Sequence, residues 1–377
     1  KPLIFTLRRQ DQGGTYQGHE SERLKNIVNL CACAPDYIDL EYDVPREFIA
    51  RIHAQFPKIA IIVSYHDFNK TPEDLYQVLR AMQQPFVKIY KIATTTQSSL
   101  DALRMLCFIK NAPVPVAGMC MGDDAEITRV LGPVVGNALD YACLHDSKIK
   151  VSGQVSIEDL TDIYHYRVLN RDTKIYAVFG DPITKSVGYL LYNQGLRLFE
   201  KNAVYVRLRV KANEIGAVIK LSRSLPFAGI SVTMPLKEAV MHYLDRINTD
   251  AQKIKAVNTI VIEHKIWQGF NTDGQGAIKA LEQHTKIAKK RIIILGAGGA
   301  AKAIAFVALE QGAQVLILNR SLARGQELAQ YLGCEAAGLD QIKSCFLGKN
   351  RIRLETGAVF CTPAWRVKAC SVYQIGR

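Results

Sequence analysis

Short apolar runs alternate with amphipathic segments through residues 1–170, and this alternation constrains the fold more than any other feature. Six strands are predicted in this region, over Pro2–Leu7, Tyr37–Tyr42, Ile59–Tyr65, Phe86–Ile92, Val114–Met121 and Ala138–Leu144. Strands that are linked through helices by short connections run parallel, with right-handed crossovers. Both an open sheet and a (β/α) barrel satisfy this order, although a closed barrel needs eight strands.

A polar stretch without periodicity, Arg167–Thr173, separates this region from further α/β sequence. We predict three domains, over residues 1–170, 174–285 and 286–377. Strands are predicted in the second domain at Ile175–Phe179, Ala203–Val210 and Gly229–Thr233, and a hairpin at Val257–Glu263 and Lys265–Phe270. A helix is predicted over Lys237–Arg246. The whole chain therefore reads as α/β.

The composition excludes several classes of protein. Hydrophobic residues make up 48% of the chain, which is enough for packed cores. The net charge of +13 is dispersed, so we interpret it as that of a basic enzyme for anionic small molecules and expect no nucleic-acid partner. The nine cysteines include no C-x-x-C pair, which indicates reduced thiols and no metal site. The longest apolar stretch, Ile292–Leu309, contains three glycines and Lys302, so we expect no membrane span.

A glycine-rich turn lies between a predicted strand, Arg291–Leu295, and a predicted helix, Ala300–Gln311. The pattern G-x-G-x-x-A is formed by Gly296, Ala297, Gly298, Gly299, Ala300 and Ala301. The first glycine permits the tight turn, the second lets the backbone approach a pyrophosphate, and the small last residue allows close helix–strand packing. We predict that the first five of these residues bind a dinucleotide at the helix N-terminus.

The end of the next strand, Gln314–Leu318, indicates which dinucleotide is bound. An NAD site would carry Asp or Glu there for the ribose hydroxyls. This chain has Asn319, Arg320 and Ser321 instead, with Arg324 one helical turn later. Two guanidinium groups without a carboxylate favour a 2′-phosphate, so NADP is the expected cofactor.

Four motifs follow one another in the second part of the chain, at Ser231–Glu238, Ala256–Thr259, Gly269–Asp273 and Asn319–Arg324. Through these motifs and their order, most of residues 174–362 resembles shikimate dehydrogenase. The resemblance implies a substrate-binding α/β domain followed by a Rossmann NADP-binding domain. The match stops after Thr362, so the Rossmann domain is expected to be partial.

The resemblance also implies roles for single residues. Lys237 and Asp273 would form the catalytic pair, and Asn258 and Thr233 would bind substrate. The chemistry suits these residue types, because reduction of a ketone needs a proton delivered as the hydride arrives. A lysine beside a carboxylate can hold and relay that proton.

The carboxylate-binding motif of the dehydrogenase family is altered here. Ser186 is retained, but the second serine is Gly188 and the histidine is Tyr192. Lys185 is a candidate to supply positive charge to the substrate carboxylate instead. These changes suggest a weaker grip, or a shift towards quinate-like ligands.

Eight short segments of the first part of the chain form a second ordered series: Leu3–Arg8, Gln12–Gly14, Tyr37–Glu41, Ser64–Phe68, Lys91–Thr94, Met121–Gly122, Ile127–Arg129 and Gly153–Gln154. Through these segments, residues 2–167 resemble type I 3-dehydroquinate dehydratase, a (β/α)-barrel family. The two first strands of such a barrel have no counterpart. The fold expected here is therefore an incomplete barrel, and both ends of the chain look cut.

This second resemblance implies Schiff-base chemistry, with Lys91 as the amine and His66 as the general acid and base. Both residues lie at the C-terminal ends of predicted parallel strands, where the active sites of barrels are found. Lys88 is the rival amine, but three residues apart the two lysines lie on opposite strand faces. Only Lys91 is followed by the family's Ile-Ala-Thr.

Three further residues would bind the dehydratase substrate by resemblance: Arg8, Arg129 and Gln154. Two positions differ from the family pattern. The glutamate that supports the histidine is Gln12, and the serine of the closing loop is Lys150.

The leading hypothesis is a bifunctional enzyme of the shikimate pathway of aromatic amino-acid biosynthesis. Its substrates would be 3-dehydroquinate and 3-dehydroshikimate, its product shikimate, and its state a monomer. The expected compartment is the bacterial cytoplasm or the plant plastid stroma. Two alternatives stay open: a non-catalytic regulatory relative like the quinate-pathway repressors, and a quinate/shikimate dehydrogenase with an impaired dehydratase half.

Overall fold

The structure is a computed structural model that describes residues 2–144, 151–183, 186–342 and 358–361. They divide into two compact units, Lys1–Val178 with Pro182–Phe227, and Phe179–Asp181 with Ala228–Arg377. In these ranges no helix has the length and apolar character needed to cross a membrane. The domain boundaries predicted near residues 170 and 285 stay predictions.

The first unit contains a five-stranded parallel sheet whose strand order follows the chain order. Its strands are β1 (Ile4–Phe5), β2 (Tyr37–Glu41), β3 (Ala60–Asp67), β4 (Val87–Thr95) and β5 (Val116–Met121). Parallel neighbours in chain order require a crossover between each pair. The predicted strand–helix alternation of an incomplete barrel is confirmed.

The four crossovers are formed by helices α1 (Glu20–Ala32), α2 (Arg46–Gln55), α3 (Leu75–Met82) and α4 (Ser99–Asn111). Three shorter helices follow β5: α5 (Glu126–Val130), α6 (Gly132–Val135) and α7 (Ile157–Asp162). Local side chains set several starts: Asp74, Ser98 and Ser156 each accept a bond from a backbone amide in the first turn of the following helix. These caps satisfy amides that the helix itself leaves unpaired.

The sixth predicted strand, Ala138–Leu144, is wrong. The side-chain amide of Asn137 occupies the strand edge by bonding both the N–H and the carbonyl of Gly118 on β5. The apolar residues that follow, including Leu139 and Tyr141, instead pack on a buried cluster of the sheet. The apolar run therefore covers one face of the sheet and does not extend it.

The rest of the first unit continues the α/β pattern. Its elements are β6 (Lys174–Gly180), whose end belongs to the second unit, α8 (Gly188–Leu198), β7 (Ala203–Arg209) and α9 (Ile215–Ser222). Strands β6 and β7 are neighbours. The buried side chain of Asn193 on α8 bonds both backbone groups of Tyr205, which fixes α8 against β7.

The second unit starts with four strands in the order β8, β10, β11, β9. They are β8 (Phe227–Val232), β9 (Arg246–Ile247), β10 (Thr259–Glu263) and β11 (Ile266–Phe270). Strands β10 and β11 form the predicted hairpin. The predicted helix Lys237–Arg246 is wrong, because only a 3₁₀ helix, Ala239–Tyr243, forms. The Lys237 carbonyl accepts a bond from the Val257 amide, so it does not serve a helical turn.

A parallel four-stranded sheet, ordered β14, β13, β12, β15, completes the second unit. Its strands are β12 (Arg291–Leu295), β13 (Gln314–Asn319), β14 (Glu335–Gly338) and β15 (Ala358–Cys361). The helices of this unit are α10 (Thr249–Ile254), α11 (Asp273–Glu282), α12 (Gly299–Glu310) and α13 (Leu322–Leu332). Strands β13 and β14 lie on one side of β12, and β15 lies on the other. This reversal of strand order creates the switch point where such sheets bind ligands. The Rossmann-like class predicted here is confirmed.

Candidate active sites

Lys91 lies in the middle of β4 and not, as predicted, at its C-terminal end, because the strand continues to Thr95. Its buried amine meets a carboxylate there. Only 8% of the residue is exposed, and its Nζ lies 3.2 Å from Oδ2 of Asp39 on β2. The ring of Tyr141 lies against the same ammonium, with Nζ 4.4 Å from the ring centroid. A charge this buried persists only when it is paired.

Arg8 joins this lysine to His66. Its guanidinium bonds Asp39 Oδ2 at 2.6 Å and donates to Ser64 Oγ at 2.8 Å. It also lies 3.4 Å from Nδ1 of His66. The structure thus brings together three of the predicted dehydratase residues, Arg8, His66 and Lys91, around Asp39.

Burial and charge shift the pKa values of this cluster. Burial lowers the pKa of Lys91, and Arg8 adds to this, whereas Asp39 opposes it. Burial, with Arg8 and Lys91, lowers the pKa of His66 to about 3. Burial works against ionisation of Asp39, but Lys91 and Arg8 lower its pKa. At neutral pH His66 is therefore a neutral base beside an ionised carboxylate.

We expect His66 to show no protonation step between pH 5 and 8 in an NMR titration. The His66 resonance is assigned as the one that disappears in the His66→Gln variant. The ordinary pKa of histidine is 6.5, so between pH 6.5 and 3 this histidine is protonated in the unfolded chain and neutral in the folded chain. Stability from this group is full above pH 6.5 and is lost as pH falls towards 3, at up to about 1.4 kcal/mol per pH unit. A titration midpoint near 6.5 would contradict the arrangement.

Arg129 and Gln154 lie together at the end of β5. Arg129, on α5, donates to the carbonyls of Cys120 and Gly153, and its Nε has no partner. Gly153 adopts φ +77°, and a Cβ there would lie 2.3 Å from the Gly122 carbonyl, so the loop needs glycine. Cys120, whose carbonyl Arg129 bonds, pairs with Thr94 on β4. Thr94 lies three residues beyond Lys91, which is about 10 Å along the strand.

Two residues of this site were not predicted from the sequence, Asp39 and Tyr141. A signal for Asp39 existed, since it interrupts an otherwise apolar part of β2. Nothing marked Tyr141. Four buried polar atoms have no hydrogen-bond partner among the described residues: the Tyr141 hydroxyl, Oδ1 of Asp39, Nε of Arg129 and Oε1 of Gln12. Such atoms call for a polar ligand or water. Lys150, the altered loop position, lies outside the described residues.

The second unit holds Lys237 and Asp273 in direct contact, with Nζ and Oδ2 2.5 Å apart. Asn258 donates from Nδ2 to the other carboxylate oxygen of Asp273 at 2.7 Å and also bonds Thr272. Asn271 accepts from the Asp273 amide. The carboxylate is thus fixed at the start of α11 with one oxygen on the lysine. The two predicted catalytic residues and Asn258 form one cluster.

The other predicted substrate residues are placed differently. Thr233 follows β8, its amide donates to the Phe179 carbonyl, and its methyl leaves no room for a Cβ at Gly180. Ser186 lies before α8 in the first unit, so its role at the Lys237 site stays a prediction. Lys185 lies outside the described residues.

The glycine turn follows β12 as predicted. Gly296 has φ +114°, which favours glycine, and the position of a Cβ at Gly298 is open space. A cleft of about 470 Å³ is lined by Gly296, Ala297, Gly298, Asn319, Arg320, Ser321 and Arg324, among others. Gly299 begins α12, and a Cβ on it would lie 3.3 Å from the Lys237 side chain. The glycine turn therefore ends beside Lys237.

The residues present fit a phosphorylated dinucleotide. Arg320 and Arg324 are exposed along the cleft, and Asn319 holds the turn between them by bonding the Ser321 carbonyl. Among the residues that the structure describes, no carboxylate lines this part of the cleft. In the described part of the chain, no group of three or more His, Cys, Asp or Glu side chains could hold a metal ion.

Three family models match the chain. Type I 3-dehydroquinase matches residues 1–171, the shikimate dehydrogenase substrate binding domain matches residues 178–260, and shikimate/quinate 5-dehydrogenase matches residues 279–351. These matches follow the order that the sequence motifs predicted.

Curated relatives match both halves at once. The "Bifunctional 3-dehydroquinate dehydratase/shikimate dehydrogenase, chloroplastic" of Arabidopsis thaliana is 36% identical, over 90% of this chain and 59% of that protein. The "Shikimate biosynthesis protein AroDE" of Chlamydia trachomatis serovar D is 30% identical, over 86% of this chain and 67% of that protein. "Shikimate dehydrogenase (NADP(+))" of Pyrococcus furiosus is 40% identical over 44% of this chain and 60% of that protein. The chain thus spans about three fifths to two thirds of these relatives' length. It belongs to the family of bifunctional 3-dehydroquinate dehydratase/shikimate dehydrogenases.

Proposed function

We propose that this chain catalyses two consecutive steps of the shikimate pathway, dehydration of 3-dehydroquinate and reduction of the resulting 3-dehydroshikimate to shikimate with NADPH. One observation carries the proposal: each predicted catalytic lysine lies in contact with a carboxylate, Lys91 with Asp39 and Lys237 with Asp273. Two separate lysine–carboxylate sites suit two separate reactions.

In the first reaction the Lys91 amine attacks the C3 ketone, and loss of water gives an iminium. The iminium acidifies C2, and neutral His66 removes that proton. The C1 hydroxyl then leaves as water, protonated by the same histidine, and hydrolysis of the iminium frees the product and Lys91. Asp39 stabilises the protonated lysine, while its position beside Arg8 keeps the carboxylate ionised.

In the second reaction Lys237 delivers a proton to the carbonyl oxygen, which becomes the new hydroxyl. Asp273 orients Lys237, and Asn258 holds Asp273 in turn. When bound, the dinucleotide supplies the hydride. Gly296, Gly298 and the α12 amides would hold its pyrophosphate, and Arg320 and Arg324 its 2′-phosphate.

A coupled assay tests this function. Purified chain supplied with 3-dehydroquinate and NADPH is expected to consume NADPH and to accumulate shikimate. Supplying 3-dehydroshikimate instead isolates the second reaction. If neither substrate gives turnover, while both bind, the chain is a binding protein and the proposal fails.

Cofactor choice gives a second prediction. In Arg320→Ala/Arg324→Ala the KM for NADPH is expected to rise by about 10–100-fold, because two charge-assisted bonds to the 2′-phosphate are lost. The KM for NADH should change little. Steady-state kinetics with both cofactors measure this, and equal losses for NADPH and NADH would contradict the assignment of these arginines.

We further propose that the chain works as a monomer. Size-exclusion chromatography with light scattering tests this. The compartment would follow the source: the plastid stroma in a plant and the cytoplasm in a bacterium. The name of the Arabidopsis relative describes that protein as chloroplastic.

A further inference from the structure

Two arginines on β7 bind acidic residues that precede or begin α5. Arg207 Nη2 lies 3.0 Å from Glu126 Oε2, and Arg209 Nη2 lies 2.7 Å from Asp124 Oδ2. Both arginines lie on the same face of the strand, since they are two residues apart. The family models assign β7 to the dehydrogenase substrate-binding domain and the acidic residues to the dehydratase.

Aromatic side chains surround the Glu126 ion pair. The hydroxyl of Tyr164, which is almost fully buried, donates to Glu126 Oε1. The Arg207 guanidinium lies 3.9 Å from the ring centroid of Tyr189, and that ring stacks on Tyr164. Glu126 is therefore held from two sides, by Arg207 and by Tyr164, in a setting that keeps water partly away.

The segment that Arg207 and Arg209 bind, Asp124 to the end of α5, carries a predicted substrate-binding residue of the dehydratase. Glu126 is the first residue of α5, and Arg129 lies one helical turn later. Arg129 in turn bonds the Cys120 and Gly153 carbonyls, which ties α5 to β5 and to the loop of Gln154. A shift of α5 would therefore move Arg129 and the Gln154 loop together.

We propose that Arg207 and Arg209 are positioning residues of the dehydratase site. Through Glu126 and Asp124 they hold α5, so that substrate affinity at Lys91 depends on a strand of the dehydrogenase part. This inference rests on the proposed dehydratase function. Partly exposed ion pairs contribute little to folding stability, so their main effect is on the position of Arg129 and not on the fold.

The experiment uses the full chain with Arg207→Gln, Arg209→Gln and the double variant. Borohydride reduction in the presence of 3-dehydroquinate traps the Lys91 adduct, and intact mass measures its extent at each substrate concentration. The double variant is expected to need a roughly tenfold higher concentration for half-maximal trapping, since a small displacement of a binding group is costly. The maximal extent at saturation should stay unchanged.

Three further variants separate positioning from folding. Arg207→Lys/Arg209→Lys keeps both charges and should recover most of the affinity. Glu126→Gln should match Arg207→Gln, and combining these two changes should add little, as expected for one shared contact. Arg197→Gln removes an exposed arginine on α8 in the same part of the chain and should change nothing.

The outcomes distinguish this inference from the function on which it rests. No adduct with the unchanged chain would overturn the dehydratase function itself. An adduct whose half-maximal concentration is the same in the double variant would overturn only the positioning role. A lower melting temperature together with a lower maximal extent would show a structural role, and would also overturn it.

Discussion

Lys91→Ala is expected to lower the rate of dehydration by about 10⁴-fold or more, since Lys91 supplies the amine that forms the iminium on which the reaction depends. Borohydride trapping with 3-dehydroquinate should give no adduct in this variant. Lys91 is suited to the role because burial lowers its pKa, which makes the neutral, nucleophilic amine more accessible. Reduction of 3-dehydroshikimate by the same variant should proceed at the rate of the unchanged chain.

Lys88→Ala is the matched control for this prediction. Lys88 lies on the same strand, three residues earlier, and its side chain is exposed. We expect full dehydratase activity and a normal adduct in this variant. Loss of the adduct in Lys88→Ala, together with its survival in Lys91→Ala, would show that the amine has been assigned to the wrong lysine.

Lys237→Ala is expected to lower kcat for the reduction of 3-dehydroshikimate by about 10²–10⁴-fold, the range typical of a lost general acid. Asp273→Asn should also lower kcat, since the uncharged amide cannot form an ion pair with Lys237. The affinity for NADPH, measured by fluorescence titration, should change little, because the cleft residues that would bind the phosphates are untouched. Dehydration should be unaffected in both variants.

Lys279→Ala serves as the control for the second site. Lys279 is exposed on α11, the helix that begins with Asp273, so it tests whether loss of a lysine in this region is enough to disturb the reaction. Unchanged kcat is expected. A Lys237→Ala variant with normal kcat and a raised KM would contradict the proton-donor role and indicate substrate binding alone.

Local patterns in the sequence identified the parts of both sites that short segments build. The glycine turn was predictable because Gly296 and Gly298 meet local backbone demands, a positive φ and an open approach. Lys91, His66, Lys237 and Asp273 were found because short motifs around them resemble known families. The structure brings Arg8, His66 and Lys91 into one cluster, and Lys237, Asp273 and Asn258 into another.

Some elements could not be predicted, because their backbone bonds are made by distant or unexpected partners. An apolar run at Ala138–Leu144 has the pattern of a strand, yet the Asn137 side chain takes the bonds at Gly118 that a strand would use. The segment after Lys237 has helical spacing, yet the Lys237 carbonyl bonds the Val257 amide. The periodicity of a sequence shows which side chains are apolar. It does not show which partner will form a hydrogen bond with a given backbone group.

The strand–helix alternation and the ordered motifs, both read from the sequence alone, were enough to determine the α/β class and the family resemblance and to predict the catalytic lysines of this chain. The tertiary structure alone decided what surrounds those lysines. Asp39 reaches Lys91 from another strand, and Arg207 and Arg209 reach the α5 segment from far along the chain. Such contacts depend on how strands are placed side by side, because the electrostatic interactions that tune a pKa or hold a binding group act across space and not along the sequence.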